Sequence, residues 1–193
     1  MRILLLDNYD SLTWNLHHLL EPFGEVTVAR NDGITVDEAA SFDRIVLSPG
    51  PGLPAEAGIM PELVRRLMPT RPILGICLGM QAIAEACGGS LFNLPTVKHG
   101  VAVPCVTELP IDPFFIGIEA PFAVGLYHSW AVDDGSLPKE LRVTARSAEG
   151  LIMALRHVRF PACGVQFHPE SVLTPTGACM IRNWAQCDQR SLC

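Results

Sequence analysis

The segment most suited to catalysis is Gly75-Ile76-Cys77-Leu78-Gly79, in which one cysteine lies between two glycines. The apolar segment 72–74 before it is typical of a buried strand, and residues 80–86 after it are mostly good helix formers. A residue at such a sharp strand-to-helix turn stands on strained backbone, in the geometry called a nucleophile elbow. The helix N-terminus there favours a thiolate over a thiol. The pentapeptide therefore predicts either a nucleophilic Cys77 or a small buried cysteine between packing glycines.

A loop rich in proline and glycine, Ser48-Pro49-Gly50-Pro51-Gly52, follows a predicted strand at residues 44–47. In an open parallel sheet, ligands bind at the carboxyl ends of the strands. Backbone N–H groups of this loop, together with the N–H of Leu78, could donate to an oxyanion that develops beside Cys77. Proline and glycine also mark ordinary turns, so the loop alone leaves both interpretations open.

A third segment, Gly164-Val165-Gln166-Phe167-His168-Pro169-Glu170, supplies an imidazole and a carboxylate at the end of another predicted buried strand. A cysteine nucleophile needs a base, and the base needs a group that orients it. His168 alone would more simply be a capping or solvent-facing histidine. Combined with Cys77 and the glycine loop, it is better explained as the base, with Glu170 as its partner.

The elements that must position these residues follow from the apolar pattern. In the first half, strands and helices alternate, which is typical of a parallel sheet covered on both faces. In the second half, strand-like segments are joined by short turns, which indicates an antiparallel ribbon. The predicted fold is α/β, an open, mostly parallel doubly wound sheet with helices on both faces and an added antiparallel ribbon, in one domain of residues 1–193. The predicted strands are 2–6, 25–29, 44–47, 73–76, 102–106, 122–126, 141–147, 151–156 and 164–167, and the predicted helices are 12–20 (with Ser11 as its N-cap), 59–68, 79–86 and 177–187.

Composition restricts the class of protein. Hydrophobic residues make up 49% of the chain and charged residues 18%, so most of it must be folded around a substantial core. A net charge of −6 argues against nucleic acid or an anionic membrane as the main partner. No apolar run approaches the roughly 20 residues of a membrane-spanning helix, and the apolar segment near the start is too short for a signal peptide. We therefore expect a cytoplasmic protein.

The seven cysteines are an odd set without a CxxC pair. This pattern favours neither a zinc site nor a disulfide framework. Most of them are expected to be small buried residues or surface thiols, and Cys77 differs from the rest because it alone lies in a glycine-flanked turn. The cysteines are Cys77, Cys87, Cys105, Cys163, Cys179, Cys187 and Cys193.

Taken together, these segments resemble the class I (triad) glutamine amidotransferases, and within that family the amidotransferase subunit of anthranilate synthase and aminodeoxychorismate synthase. The matching segments occur in the family's order and extend to about residue 185. The opening Asp-Asn-Tyr-Asp-Ser segment and the compact length favour this chorismate-using branch over the amidotransferase domains for GMP, CTP or carbamoyl phosphate. The matching segments are residues 6–11, 46–52, 74–79, 81–84, 127–129 and 164–171.

The resemblance implies a mechanism that needs no metal or organic cofactor on this chain. Cys77 would attack the side-chain amide of L-glutamine, while His168, held by Glu170, shuttles protons. Ammonia would leave first, and water would then hydrolyse the glutamyl thioester. The ammonia would pass to a separate chorismate-binding synthase subunit in a hetero-oligomer. By the same resemblance, the N–H groups of Gly50 and Leu78 would hold the oxyanion, and glutamine would be held by Pro51, Gly52, Gln81 and the backbone of Ser129 and Trp130.

Three positions depart from the family pattern. Met80 stands where histidine is usual, Leu126 where arginine is frequent, and Val101 where lysine is usual. We expect some of them near the partner surface or the rim of the pocket. His128, a second histidine near the site, is expected to order the Ser129 loop rather than to act as a base.

Two other functions stay open at this stage. One is a stand-alone cysteine hydrolase that cleaves a γ-glutamyl or other amide. The other is a non-catalytic binding subunit with the same fold. The sequence also leaves open whether the product is anthranilate, aminodeoxychorismate or both.

Overall fold

The computed structural model describes residues 1–187. Within this range, nine strands form one sheet and five α-helices pack against it. The strands are β1 (Arg2–Asp7), β2 (Glu25–Arg30), β3 (Arg44–Leu47), β4 (Ile73–Ile76), β5 (Leu91–Thr107), β6 (Phe122–Val132), β7 (Leu141–Ser147), β8 (Ile152–His157) and β9 (Ala162–Val165). The helices are α1 (Thr13–Leu20), α2 (Val36–Ala39), α3 (Met60–Leu67), α4 (Leu78–Ala86) and α5 (Gly177–Gln186).

The sheet has a parallel part and an antiparallel part. The strand order is β2-β1-β3-β4-β9-β8-β7-β5-β6. The pairings from β2 to β9 are parallel, and those from β9 to β6 are antiparallel. The α/β fold with a doubly wound parallel part is thus confirmed, and the antiparallel part is larger than the ribbon predicted from the sequence.

Two hydrophobic layers lie on opposite faces of the sheet, because successive side chains of a strand point to opposite faces. In β1, Ile3 and Leu5 pack in the layer that contains α1 and α5. Leu4 and Leu6 pack in the layer that contains α2, α3 and α4. All four side chains are fully buried, which explains why the strand is continuously apolar.

The element bounds differ most from the prediction in the ribbon of β5 and β6. Strand β5 begins at Leu91, eleven residues before the predicted start, and it contains Pro95 and Gly100, which the sequence marks as breakers. The strand continues through both because its register with β6 shifts between Asn93 and Lys98 and again between His99 and Val101. Such shifts allow an unpaired residue in the ladder.

Smaller differences concern three other elements. The sequence missed α2, a short helix that begins with a capping box between Thr35 and Glu38. Ser11 was a wrong choice of helix cap, because Leu12 occupies that position in α1. Strand β9 ends at Val165, so the predicted strand 164–167 was two residues out of place.

The six cysteines within the described residues are all free thiols, and Cys193 lies outside the described residues. Burial raises the pKa of Cys163 to about 11 and that of Cys105 to about 12, so these two thiols stay protonated at neutral pH. They are small buried residues, as predicted. None of the helices within residues 1–187 combines the length and apolar composition needed to span a bilayer.

Candidate active site

Cys77 occupies a strained turn between β4 and α4. Its φ of 52° and ψ of −102° lie outside the regions that residues other than glycine normally adopt. Its backbone N–H donates to the carbonyl of Val165 at 2.7 Å, which fixes the turn to β9. A Cβ on Gly79 would lie 2.7 Å from the Cβ of Leu47, and one on Gly75 would collide with the Gly79 carbonyl. The two glycines are therefore required by packing, and the turn they permit has the elbow geometry predicted for a nucleophile.

His168 and Glu170 form a buried pair. His168 Nδ1 lies 2.7 Å from Glu170 Oε1, and the two side chains are 3% and 0% exposed. Burial by itself lowers the pKa of His168, but the adjacent Cys77 and Glu170 side chains outweigh it and raise the pKa to about 10. His168 Nε2 is buried, and no hydrogen-bond partner within residues 1–187 occupies it. The ring is thus held through one nitrogen and has the other available for a proton transfer.

The chain reaches this position because it changes neighbours after β9. The N–H of Gln166 still donates to Met153 of β8 at 2.9 Å. The N–H of His168 donates instead to Gly125 of β6 at 3.0 Å, and the Thr174 hydroxyl donates to the His168 carbonyl at 2.7 Å. His168 therefore lies in a fixed connection beyond the end of β9, and not at the end of the strand itself.

The glycine-proline loop is tied to the end of β1. Asn8 donates from its backbone N–H to the Ser48 hydroxyl and from its side chain to the Ser48 carbonyl, each at 2.8 Å. The chain passes so close to Asn8 that a Cβ on Gly50 would lie 2.6 Å from the Asn8 Cβ. Gly52 adopts a φ of 73°, which favours glycine.

The N–H groups of Gly50 and Leu78 are free to bind a ligand. Among the described residues, neither donates a hydrogen bond to the surrounding turns, loops or side chains. Leu78 is the first residue of α4, where an N–H has no partner within the helix. These are the two donors predicted for an oxyanion, and both border the same cavity.

A cavity of about 140 Å³ joins Cys77 to the predicted binding residues. Pockets for drug-sized ligands measure roughly 300–1,000 Å³, so this cavity suits a ligand as small as an amino acid. All of the residues predicted to bind glutamine or its oxyanion contribute to its wall. The wall consists of Gly50, Pro51, Gly52, Cys77, Leu78, Gln81, Tyr127, His128, Ser129 and Trp130.

The carbonyl of Trp130 is held by two side chains of the cavity. Gln81 Nε2 donates to it at 2.9 Å, and His128 Nδ1 lies 2.7 Å from it. Burial lowers the pKa of His128, so the ring is neutral at physiological pH and donates from Nδ1. This contact supports the expected ordering role of His128, although the segment around Ser129 is part of β6 and not a loop.

A second cavity, of about 440 Å³, also borders Cys77. It shares Cys77 and Gly50 with the first cavity, and His168 lines it. It also includes Tyr9, which is 50% exposed, so it reaches the protein surface. Tyr9 has a φ of 62°, and its hydroxyl donates to Asp32 at 2.7 Å.

One residue of the site was given no role from the sequence. Gln166 is fully buried, and its Nε2 lies 3.4 Å from the Cys77 sulfur. It belongs to the segment that also contains His168. A single glutamine among apolar residues carries no spacing signal, so only the folded structure reveals this contact.

The three departures from the family pattern do not share one location. Met80 is 0% and Leu126 is 1% exposed, so both are core residues and lie neither at the surface nor at the pocket rim. Met80 packs against Gly164, where a Cβ would lie 2.8 Å from the Met80 Cβ. Val101, by contrast, is 39% exposed on β5.

Among the described residues, one group of three side chains has the spacing of metal ligands: His17, His18 and Glu21. His17 and His18 lie 3.4 and 3.1 Å from the Glu21 carboxylate on the same helical turn, so contacts with this one side chain account for the group. Neither Cys77 nor His168 belongs to it.

Comparison with known proteins gives one consistent result. A family model described as glutamine amidotransferase class-I matches residues 4–187. Aminodeoxychorismate synthase component 2 of Klebsiella aerogenes is 44% identical over 185 residues, which cover 94% of this chain and 98% of that protein. Aminodeoxychorismate/anthranilate synthase component 2 of Bacillus subtilis is 42% identical over 189 residues, 95% of each chain.

Solved structures agree with this result. A crystal structure from Thermoplasma acidophilum, of a protein assigned provisionally to GMP synthase, matches with a TM-score of 0.84 at 26% identity and covers 96% of this chain and 92% of that one.

Proposed function

The chain belongs to the class-I glutamine amidotransferases, and from that membership we propose that it hydrolyses glutamine through Cys77, His168 and Glu170 and delivers the ammonia to a chorismate-aminating synthase subunit. The observation that carries the proposal is the position of Cys77. It stands on a strained elbow, borders the small cavity and adjoins the buried His168–Glu170 pair. The relatives named above are components 2 of aminodeoxychorismate and anthranilate synthases, which supports a synthase as the partner.

The first step is attack by the Cys77 sulfur on the side-chain amide carbon of glutamine. Because its pKa is raised, His168 is protonated at neutral pH. The Cys77 sulfur attacks in its thiolate form, which is the nucleophilic one. The imidazolium gives its proton to the amide nitrogen as the carbon–nitrogen bond breaks. Ammonia leaves, and the γ-glutamyl group stays on the sulfur as a thioester.

The tetrahedral intermediate of this step carries its negative charge on the former amide oxygen. The free N–H groups of Gly50 and Leu78 are the donors that would bind it. Fixed donors of this kind act at the place where charge develops, without having to reorganise during the reaction.

The second step is hydrolysis of the thioester. His168, now neutral, takes a proton from a water molecule that attacks the carbonyl carbon. Glutamate leaves, and Cys77 becomes a thiolate again while His168 keeps the proton. Glu170 holds the ring in one orientation during both transfers and stabilises its positive charge.

The second cavity offers the released ammonia a route. Its wall includes both Cys77 and the half-exposed Tyr9. A synthase subunit that covers this opening would receive the ammonia before it mixes with solvent. The partner's own site would decide which aminated product is formed.

The test uses glutamine labelled with ¹⁵N in its side-chain amide. The purified chain is mixed with a chorismate-binding synthase subunit, chorismate and unlabelled ammonium, and the aminated product is analysed by mass spectrometry. The proposal predicts ¹⁵N in the product, and loss of that label when Cys77 is replaced by serine. Glutamine hydrolysis without label in the product would instead indicate a stand-alone hydrolase, and absence of hydrolysis would indicate a binding subunit.

A further inference from the structure

Gln166 lies between the nucleophile and a residue of the substrate pocket. We propose that Gln166 is a positioning residue whose side-chain amide donates a hydrogen bond to the Cys77 sulfur and aligns the thiolate with the glutamine pocket. This inference rests on the proposed function, because it concerns the same cysteine. It adds a residue to which neither a catalytic nor a binding role has been given above.

The orientation of the Gln166 amide follows from its neighbours. The carbonyl of Trp130 can only accept, so the group of Gln81 that lies 2.9 Å from it must be the NH₂. The same NH₂ lies 3.2 Å from Gln166, which must therefore present its oxygen to Gln81. The NH₂ of Gln166 then faces the Cys77 sulfur at 3.4 Å. The Trp130 carbonyl thus orients the Gln81 amide, which in turn orients the Gln166 NH₂ toward the Cys77 sulfur.

The side chain of Gln166 is not needed to hold the backbone that follows β9. Its backbone N–H is already bonded to Met153 at 2.9 Å. A buried glutamine whose amide made no hydrogen bonds would destabilise the folded protein, because burying an unpaired amide costs free energy. The Gln166 amide makes its hydrogen bonds to Cys77 and Gln81, and so connects these two residues.

A donor at this place would act on two steps. In the free enzyme it stabilises the thiolate and holds the sulfur in one position relative to the cavity. In the second step the thiolate is the leaving group, and a stabilised thiolate leaves faster. Both effects concern the sulfur itself, so they extend to reactions of Cys77 that do not involve glutamine.

The experiment compares wild-type protein with Gln166→Leu, which keeps a similar volume and removes the donor. The rate of alkylation of Cys77 by iodoacetamide is measured by peptide mass spectrometry, which separates Cys77 from the other cysteines. We expect alkylation to slow by about 10- to 100-fold, because a hydrogen bond to a charged group contributes a factor of that order. The kcat for glutamine hydrolysis should fall with it, and KM should change less.

A second variant, Gln166→Glu, keeps the oxygen that accepts from Gln81 but turns an acceptor toward the sulfur. It should slow alkylation at least as much as Gln166→Leu, and it keeps the test available if the leucine variant does not fold. Melting temperature identifies folded variants. Folded variants with wild-type alkylation rates, or with a raised KM alone, would overturn the proposal and leave Gln166 as a support for Gln81.

The alkylation measurement also separates this inference from the proposed function. Iodoacetamide needs no glutamine, so the comparison remains valid even if the chain hydrolyses no glutamine at all.

Discussion

His168 Nδ1 and Glu170 Oε1 lie 2.7 Å apart, although only Pro169 separates the two residues in the chain. Both side chains are buried, so the carboxylate interacts with the ring in surroundings that screen charge weakly. The contact fixes the ring and leaves Nε2 as the nitrogen available for proton transfer.

Replacing Glu170 by glutamine should reduce the kcat of glutamine hydrolysis by about 10²- to 10⁴-fold, as expected when the partner of a catalytic histidine loses its charge. The amide keeps the shape of the side chain but no longer stabilises the imidazolium. Steady-state kinetics measure the effect, and amination from free ammonium in the presence of the synthase subunit is the control that should not change. A kcat equal to that of the wild type would exclude an orienting role for Glu170.

The pH dependence of stability should report the raised pKa of His168. The pKa is about 10 in the folded protein, against an ordinary value of 6.5. A raised pKa means that the folded state holds the proton more tightly, so the contribution to stability is complete below pH 6.5 and is lost as pH rises to about 10. The difference in free energy of unfolding between wild type and His168→Asn should therefore shrink over this range.

Urea denaturation at several pH values measures this difference. His18→Asn is a suitable control, because His18 is 71% exposed and far less enclosed than His168. If the difference in free energy of unfolding between wild type and His168→Asn stays constant or grows with pH, the pKa of His168 is not raised in the folded protein.

Gly79→Ala should destabilise the fold by about 1–3 kcal/mol, the usual cost of overpacking a core. The new Cβ would lie 2.7 Å from the Leu47 Cβ and 2.8 Å from the Leu47 carbonyl oxygen, which is backbone and has little freedom to move. Gly33→Ala is the matched control, because its Cβ would meet its nearest atom at an ordinary 3.5 Å. Equal unfolding free energies for the two variants would mean that the turn at Gly79 has room for a Cβ, contrary to these distances.

The sequence predicted the inner strands β1, β3 and β4 of the parallel part well, because these strands are buried on both faces. Strands β3 and β4 have the predicted bounds, since each is a short apolar run with a clear stop. The ribbon of β5 and β6 could not be predicted in full. Much of β5 is exposed, and its length depends on hydrogen bonds with β6 rather than on its own apolar pattern. That residues 1–193 form one domain stays a prediction.

The candidate site was predicted where a local motif carries the chemistry. Cys77 and the His168–Glu170 pair each lie in a recognisable segment, and the structure brings these segments together. Gln166 could not be assigned in this way, because its role depends on a contact with Cys77 across 89 positions of sequence. The place of Met80 could not be assigned for a similar reason, since only the packing against Gly164 reveals that it is a core residue.

The central claim is that Cys77 is the nucleophile that releases ammonia from glutamine. It is tested most directly by measuring product formation by Cys77→Ser together with the chorismate-binding synthase subunit, once with glutamine and once with ammonium as the nitrogen source. The account predicts a loss of about 10³-fold or more with glutamine, because a serine in this turn is a far weaker nucleophile, and an unchanged rate with ammonium. A serine variant that still uses glutamine at the wild-type rate would contradict it.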